Sequence, residues 1–116
     1  MKVLLVDDEQ KFAKMLAKRL ELRGIDADYV NSGEDAILKT GKSRYDVAIL
    51  DVKMPGIGGL ELERRLKALA PEMKFIFLTG HGSKTDFETG SAQAAHYLAK
   101  PIRIEDLINI LQEITG

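Results

Sequence analysis

Five short apolar runs with β-branched or aromatic content, "KVLLV", "IDADYV", "DVAIL", "KFIFL" and "HYLA", recur along the chain, each followed by a segment of helical character. This alternation constrains the fold more than any other feature. Strands that are apolar almost throughout need cover on both faces, so helices must lie above and below a parallel sheet, joined by right-handed crossovers. The expected architecture is a doubly wound, five-stranded α/β sheet. At 116 residues the chain fits one such unit, and no linker, low-complexity tract or repeat divides it. Residues 1–116 are therefore read as a single domain.

The helical segments carry their own signals. The first, from about Lys11 to Arg23, aligns Phe12, Leu16 and Leu20 with Met15 and Leu22 alongside, and Gly24 stands where a left-handed C-cap is expected. Ser32 followed by Asp35 reads as a capping box opening the second helix, which runs through Ile37 and Leu38 towards Gly41. Leu60, Leu62, Leu66 and Leu69 mark the third, stopped by Pro71. A weak fourth helix, around Lys84 to Ala92, contains Gly90 and few large apolar residues and is expected to be mobile. The last has Leu107, Ile108, Leu111 and Ile114 on one face.

In open α/β sheets ligands bind beyond the carboxyl ends of the strands, where strand order reverses. The residues just past the strands are Asp7, Asp8 and Glu9 after the first, Asp51 after the third, Thr79 and Gly80 after the fourth, and Lys100 and Pro101 after the fifth. The second strand, ending "VNSG", offers nothing reactive, as befits an edge strand. Carboxylates gathered in one crevice raise each other's pKa unless a cation answers them, and an all-oxygen donor set suits Mg²⁺. Such sites are characteristically completed by phosphate oxygens, for which Lys100 offers a cation and Thr79 a hydroxyl. A carboxylate held there can act as a nucleophile and form an acyl phosphate, and Asp51 is placed to do so. Glu9 is read as the start of the turn into the first helix.

Composition narrows the partners. Lysine and arginine number 17 against 18 acids, a formal net charge of −1, which gives no general attraction to nucleic acid or anionic membranes. Absence of cysteine excludes disulfides and thiolate metal sites and suits a reducing cytosol. The opening "MKVLLV" is too short for an export signal, and no run approaches the roughly twenty apolar residues of a membrane helix.

"VDDE", "LDVKMPG", "LTG" and "YLAKP", in this order, resemble the receiver domain of two-component response regulators, chemotaxis-regulator-like, along the whole chain from Val3 to the last helix. The resemblance implies a flavodoxin-like sheet of order 2-1-3-4-5 and a cytoplasmic, phosphorylation-dependent switch. It makes Asp51 the phosphoacceptor, served by the phosphohistidine of a sensor histidine kinase or histidine phosphotransfer protein. Asp7, Asp8 and Asp51, with the Lys53 backbone carbonyl, would hold Mg²⁺, while Thr79 and Lys100 contact the phosphoryl oxygens. Tyr97 would be the switch residue, turning inward as Thr79 is drawn to the phosphate. A cis peptide between Lys100 and Pro101 would aim the Lys100 amine at the site. Catalysis would be confined to the protein's own phosphorylation and dephosphorylation. The signal would leave through the face of the fourth helix, fifth strand and last helix, without direct contact to nucleic acid. No output domain is recognised in residues 1–116; a stand-alone regulator and a receiver within a longer regulator or hybrid kinase both fit, as does a phosphorylation-dependent homodimer.

Three positions, Lys53, Gln93 and Arg103, depart from the family pattern. Lys53 and His81, two residues past Asp51 and Thr79, are expected to tune the lifetime of the phosphoryl group. Gln93 replaces a common glycine, and Arg103 replaces the usual acidic or hydroxyl N-cap of the last helix. Taken singly the site residues have plainer readings: Asp51 as a loop cap, Thr79 and Lys100 as strand-end residues, Tyr97 as core packing. His81 and His96 read as surface histidines, and "GIGG" at Gly56–Gly59 as a turn rather than a phosphate loop. Rival functions are a haloacid-dehalogenase-like phosphatase, which wants an Asp where Lys53 stands, a flavin binder, which the acidic first loop disfavours, and a pseudo-receiver that only docks.

Overall fold

The computed structural model describes residues 1–80 and 96–115. In chain order the elements are β1 (Lys2–Val6), α1 (Gln10–Leu22), β2 (Asp26–Val30), α2 (Gly33–Lys42), β3 (Val47–Asp51), α3 (Gly59–Leu69), β4 (Lys74–Thr79), β5 (His96–Ala99) and α4 (Ile104–Thr115). The strands form one parallel sheet of order β2-β1-β3-β4-β5, the doubly wound, flavodoxin-like arrangement expected. The fourth helix expected around Lys84 to Ala92, His81 and Gln93 lie outside the described residues.

The two-residue period of a strand sends alternate side chains to opposite faces. Val3, Leu5, Val47, Ile49, Ile76 and Leu78 pack against Leu16 and Leu20 of α1 and Leu107 and Leu111 of α4. Leu4, Val6, Ala48, Leu50 and Phe77 meet Ala36 of α2 and Leu62 and Leu66 of α3. Near-continuous apolar strands are thus explained: both faces are core.

Local signals place the helix ends. The Ser32 hydroxyl accepts a hydrogen bond from the Asp35 backbone N–H at 3.1 Å, capping α2, and Gly24 adopts φ +81° after α1. Arg103 precedes α4 with its carbonyl accepting from Leu107 N–H; a guanidinium offers no acceptor, so its side chain cannot cap the helix. The apolar stripes are narrower than the sequence suggests. Met15, Leu22, Leu38 and Leu69 are exposed, Leu22 at 77%. On α1 the buried line is Ala13, Leu16, Ala17 and Leu20, and Met15 is turned about 100° from Leu16.

Candidate functional site

Strand register builds the site. Val6 pairs with Leu50, which sets Asp7 at the end of β1 level with Asp51 at the end of β3. These two strands flank the point where strand order reverses, the location favoured for ligands in such sheets. Asp7 and Asp51 are buried, 1% and 6% exposed, while Asp8 faces solvent. One carboxylate oxygen from each of Asp7, Asp8 and Asp51 lies within 4.8 Å of the others.

Lys100 answers part of this charge. Its Nζ lies 2.8 Å from Asp7 Oδ2, 2.8 Å from Glu9 Oε1 and 3.7 Å from Asp51 Oδ2, and 4.6 Å from the centroid of the Phe12 ring. The backbone is tied as well: Lys100 N–H donates to the Thr79 carbonyl at 2.7 Å, which joins the ends of β4 and β5, and the Lys100–Pro101 peptide is cis. Asp7 Oδ1 accepts from Glu9 N–H at 2.9 Å, and Asp51 Oδ1 accepts from Lys53 N–H at 3.3 Å.

One cation does not balance the cluster. Burial, reinforced by the Asp7 charge and opposed by Lys100, pushes the Asp51 carboxyl up to about 6. Burial alone would depress the Lys100 ammonium, but its contacts with Asp7, Glu9 and Asp51 hold it well above the ordinary lysine value. Asp7 Oδ2 is fully buried, and the Lys100 ammonium 2.8 Å from it is shared with Glu9 and Asp51. A buried carboxylate whose charge is met by a shared ammonium, a second pushed up towards protonation and a third acid open to solvent form a donor set that fits a hard divalent cation retaining several waters.

The α3 end of β3 is held by glycine. A β-carbon on Gly59 would collide with the Asp51 backbone carbonyl and come within 2.9 Å of Val52 Cα, whereas one on Gly58 meets only ordinary contact, 3.5 Å from the Val52 carbonyl. Gly59→Ala is therefore expected to lose about 2 kcal/mol of stability and to displace Asp51, while Gly58→Ala stays under about 1 kcal/mol. Urea titration of the two variants checks the contrast.

The other expected residues divide. Thr79 is buried at the end of β4, and Tyr97 is 54% exposed on β5, the edge strand, opposite Phe77. The Lys53 side chain is exposed, and His96 is half-buried at the start of β5 opposite Ile76. Gly56, with φ +77°, makes the turn expected of "GIGG". Two participants were not legible. Asn31, from the β2 end read as inert, donates through Nδ2 to the Asp7 carbonyl at 2.9 Å, and Glu9 turns back to Lys100 instead of capping α1. A concavity of about 1060 Å³ lies between residues 40–46 and 69–74, away from these residues. Among the described residues no helix is long and apolar enough to cross a membrane.

Residues 3–112 match the profile of the response regulator receiver domain family. The uncharacterized transcriptional regulatory protein YkoG of Bacillus subtilis is 35% identical over 107 residues, covering 91% of this chain and 47% of that protein. The chain spans about half the length of the curated relatives of this kind that it matches. Among solved structures, the chemotaxis protein CheY4 of Vibrio cholerae superposes with TM-score 0.87 at 31% identity, covering 97% of this chain and 96% of that one. A response regulator protein from Burkholderia pseudomallei, solved with a phosphorylated aspartic acid, a calcium ion and citrate, gives TM-score 0.83 at 29% identity, covering 92% of this chain and 64% of that one.

Proposed function

This chain belongs to the response regulator receiver domain family, whose members are phosphorylated on aspartate, and from that premise we propose that Asp51 is its phosphoacceptor and Lys100 and Thr79 its phosphoryl contacts. The observation that carries the assignment is the carboxylate trio at the strand-order reversal, with Asp51 desolvated and Lys100 beside it. With its pKa pushed up to about 6, Asp51 is ionised at neutral pH yet poorly solvated, the condition of an activated carboxylate nucleophile. An Asp51 oxygen attacks phosphorus as the bond from phosphorus to the donor histidine nitrogen breaks, and that nitrogen keeps the electron pair. Lys100 and the Thr79 hydroxyl take up the charge on the phosphoryl oxygens. Asp7, Asp8, Asp51 and the Lys53 backbone carbonyl would hold Mg²⁺, which when bound neutralises the carboxylates and shields the incoming phosphoryl group from them.

Donors are a sensor histidine kinase or a histidine phosphotransfer protein. Residues 1–116 act as one receiver unit, and the output is a separate partner or a domain joined to it, as the transcriptional regulatory relatives suggest. Tyr97, exposed on the edge strand beside the strand that carries Thr79, is the candidate relay to the surface of β5 and α4. Lys53 and His81 set the phosphoryl lifetime. Cytoplasmic location follows from such partners.

Incubation with Mg²⁺ and acetyl phosphate, followed by mass spectrometry, is expected to give one acid-stable, base-labile phosphoryl adduct mapping to Asp51. A second stable adduct elsewhere, multiple-turnover phosphatase activity, or no adduct at all would overturn the assignment.

A further inference from the structure

Glu9 does not serve the helix it precedes. It occupies the N-cap position of α1 with no side-chain capping bond, and its carboxylate reaches 91 residues along the chain to Lys100 Nζ at 2.8 Å. The ammonium is seated on a second support, the Phe12 ring in the first turn of α1, at 4.6 Å from the centroid. An ammonium has three N–H donors. Asp7 and Glu9 engage Lys100 at 2.8 Å each, while Asp51 stands off at 3.7 Å, beyond hydrogen-bond range. The cation is thus held on the β1–α1 side of the crevice and away from the phosphoacceptor.

We propose that Glu9 and Phe12 are positioning residues that restrain Lys100 in the unphosphorylated protein, so that phosphoryl binding at Asp51 must draw the ammonium off them. The proposal rests on the reading of Asp51 as phosphoacceptor. Glu9 also places a negative charge beside the same cation that the phosphoryl oxygens must share, so restraint and repulsion act in one direction. Both oppose the phosphorylated state. Loss of either support therefore favours it, in contrast to the loss of Lys100 itself.

The test is a beryllofluoride titration of the full chain in saturating Mg²⁺, read by the change in tyrosine fluorescence or by NMR. Glu9→Gln is expected to bind the phosphoryl mimic about threefold to fivefold tighter, the range for a partly exposed ion pair. Phe12→Leu keeps every charge and is expected to tighten binding about twofold. Glu34→Gln, which removes a carboxylate beside the Gly56 turn that makes no ion pair with Lys100, should leave the affinity unchanged. In ¹³C-lysine-labelled protein the Lys100 ε-carbon resonance should move in the Glu9 and Phe12 variants before any mimic is added. Unchanged or weaker binding by Glu9→Gln, an equal gain from Glu34→Gln, or no effect of Phe12→Leu overturns the restraint while leaving Asp51 in place. A wild-type protein that binds no beryllofluoride, or an Asp51→Asn variant that binds it equally well, overturns the phosphoacceptor reading and the restraint together.

Discussion

Asp51→Asn is expected to accept no phosphoryl group from acetyl phosphate and, in metal-free buffer at pH 7.5, to be more stable than the wild type by about 3 kcal/mol. The two effects share a cause. The folded state holds the Asp51 carboxyl at about 6, above the ordinary carboxylate value of the unfolded chain, through burial and the charge of Asp7. Below about pH 4 the group is protonated in both states and contributes nothing. As pH rises, the unfolded chain releases its proton first, so the wild type loses stability until the folded group has also ionised, and above about pH 6 the whole penalty is present. The amide cannot ionise and retains an oxygen to accept the Lys53 N–H, a contact that is 3.3 Å in the wild type. Urea unfolding from pH 3.5 to 7.5 should show the two proteins converging in acid and separating near neutrality. Millimolar Mg²⁺ should close the gap at pH 7.5 by stabilising the wild type, since a ligand that binds only the folded form adds its binding free energy. A difference that is flat across this range would mean that Asp51 is not held in an unfavourable ionised state.

The parts of this site that sequence made legible are those fixed by chain direction. In a parallel sheet every strand ends on the same side, so a reactive residue one step past an apolar run is placed before any tertiary contact is known. Asp7, Asp51, Thr79 and Lys100 all satisfy that condition, and all four sit at the carboxyl edge. Ser32 and Gly24 were legible for a local reason, because a cap is decided by the residue and its nearest backbone.

Side-chain reach across the sheet was not legible. Nothing near Glu9 in sequence marks Lys100 as its partner; the contact exists because β5 and β1 both deliver their ends to one crevice, and a long side chain spans the gap. Asn31 carries no sequence signal of its role, since its amide supports the backbone carbonyl of Asp7 and not a reacting group. Met15, Leu22, Leu38 and Leu69 lie outside the buried stripes because periodicity gives the direction of an apolar stripe but not its width, and width depends on how closely the helix lies on the sheet.

Lys100→Met supplies the opposite extreme. Methionine keeps the apolar stem over Phe12 and removes the charge, leaving the buried Asp7 and Asp51 carboxylates without their cation. Breaking such a pair from one side costs about 3 kcal/mol or more, because the remaining charge stays desolvated. The raised pKa of Lys100 means that its contribution is fully present below its ordinary value and is lost only above the folded one, so titration of the ammonium itself adds no pH dependence to the deficit near neutrality. It should shrink in acid as Asp51 protonates, and that protonation should occur at higher pH than in the wild type, since Lys100 is the group pulling the Asp51 value down. Mg²⁺ should restore most of the lost stability, because the same oxygens accept it. It should not restore function: phosphorylation by acetyl phosphate is expected to remain roughly a hundredfold slower without the ammonium. Combining Lys100→Met with Asp51→Asn should cost less than the sum of the separate changes, since the amide no longer needs the cation, and the shortfall measures their coupling. Additive effects, or a Lys100→Met protein as stable as wild type without metal, would show that the ammonium is not what holds the acidic crevice together.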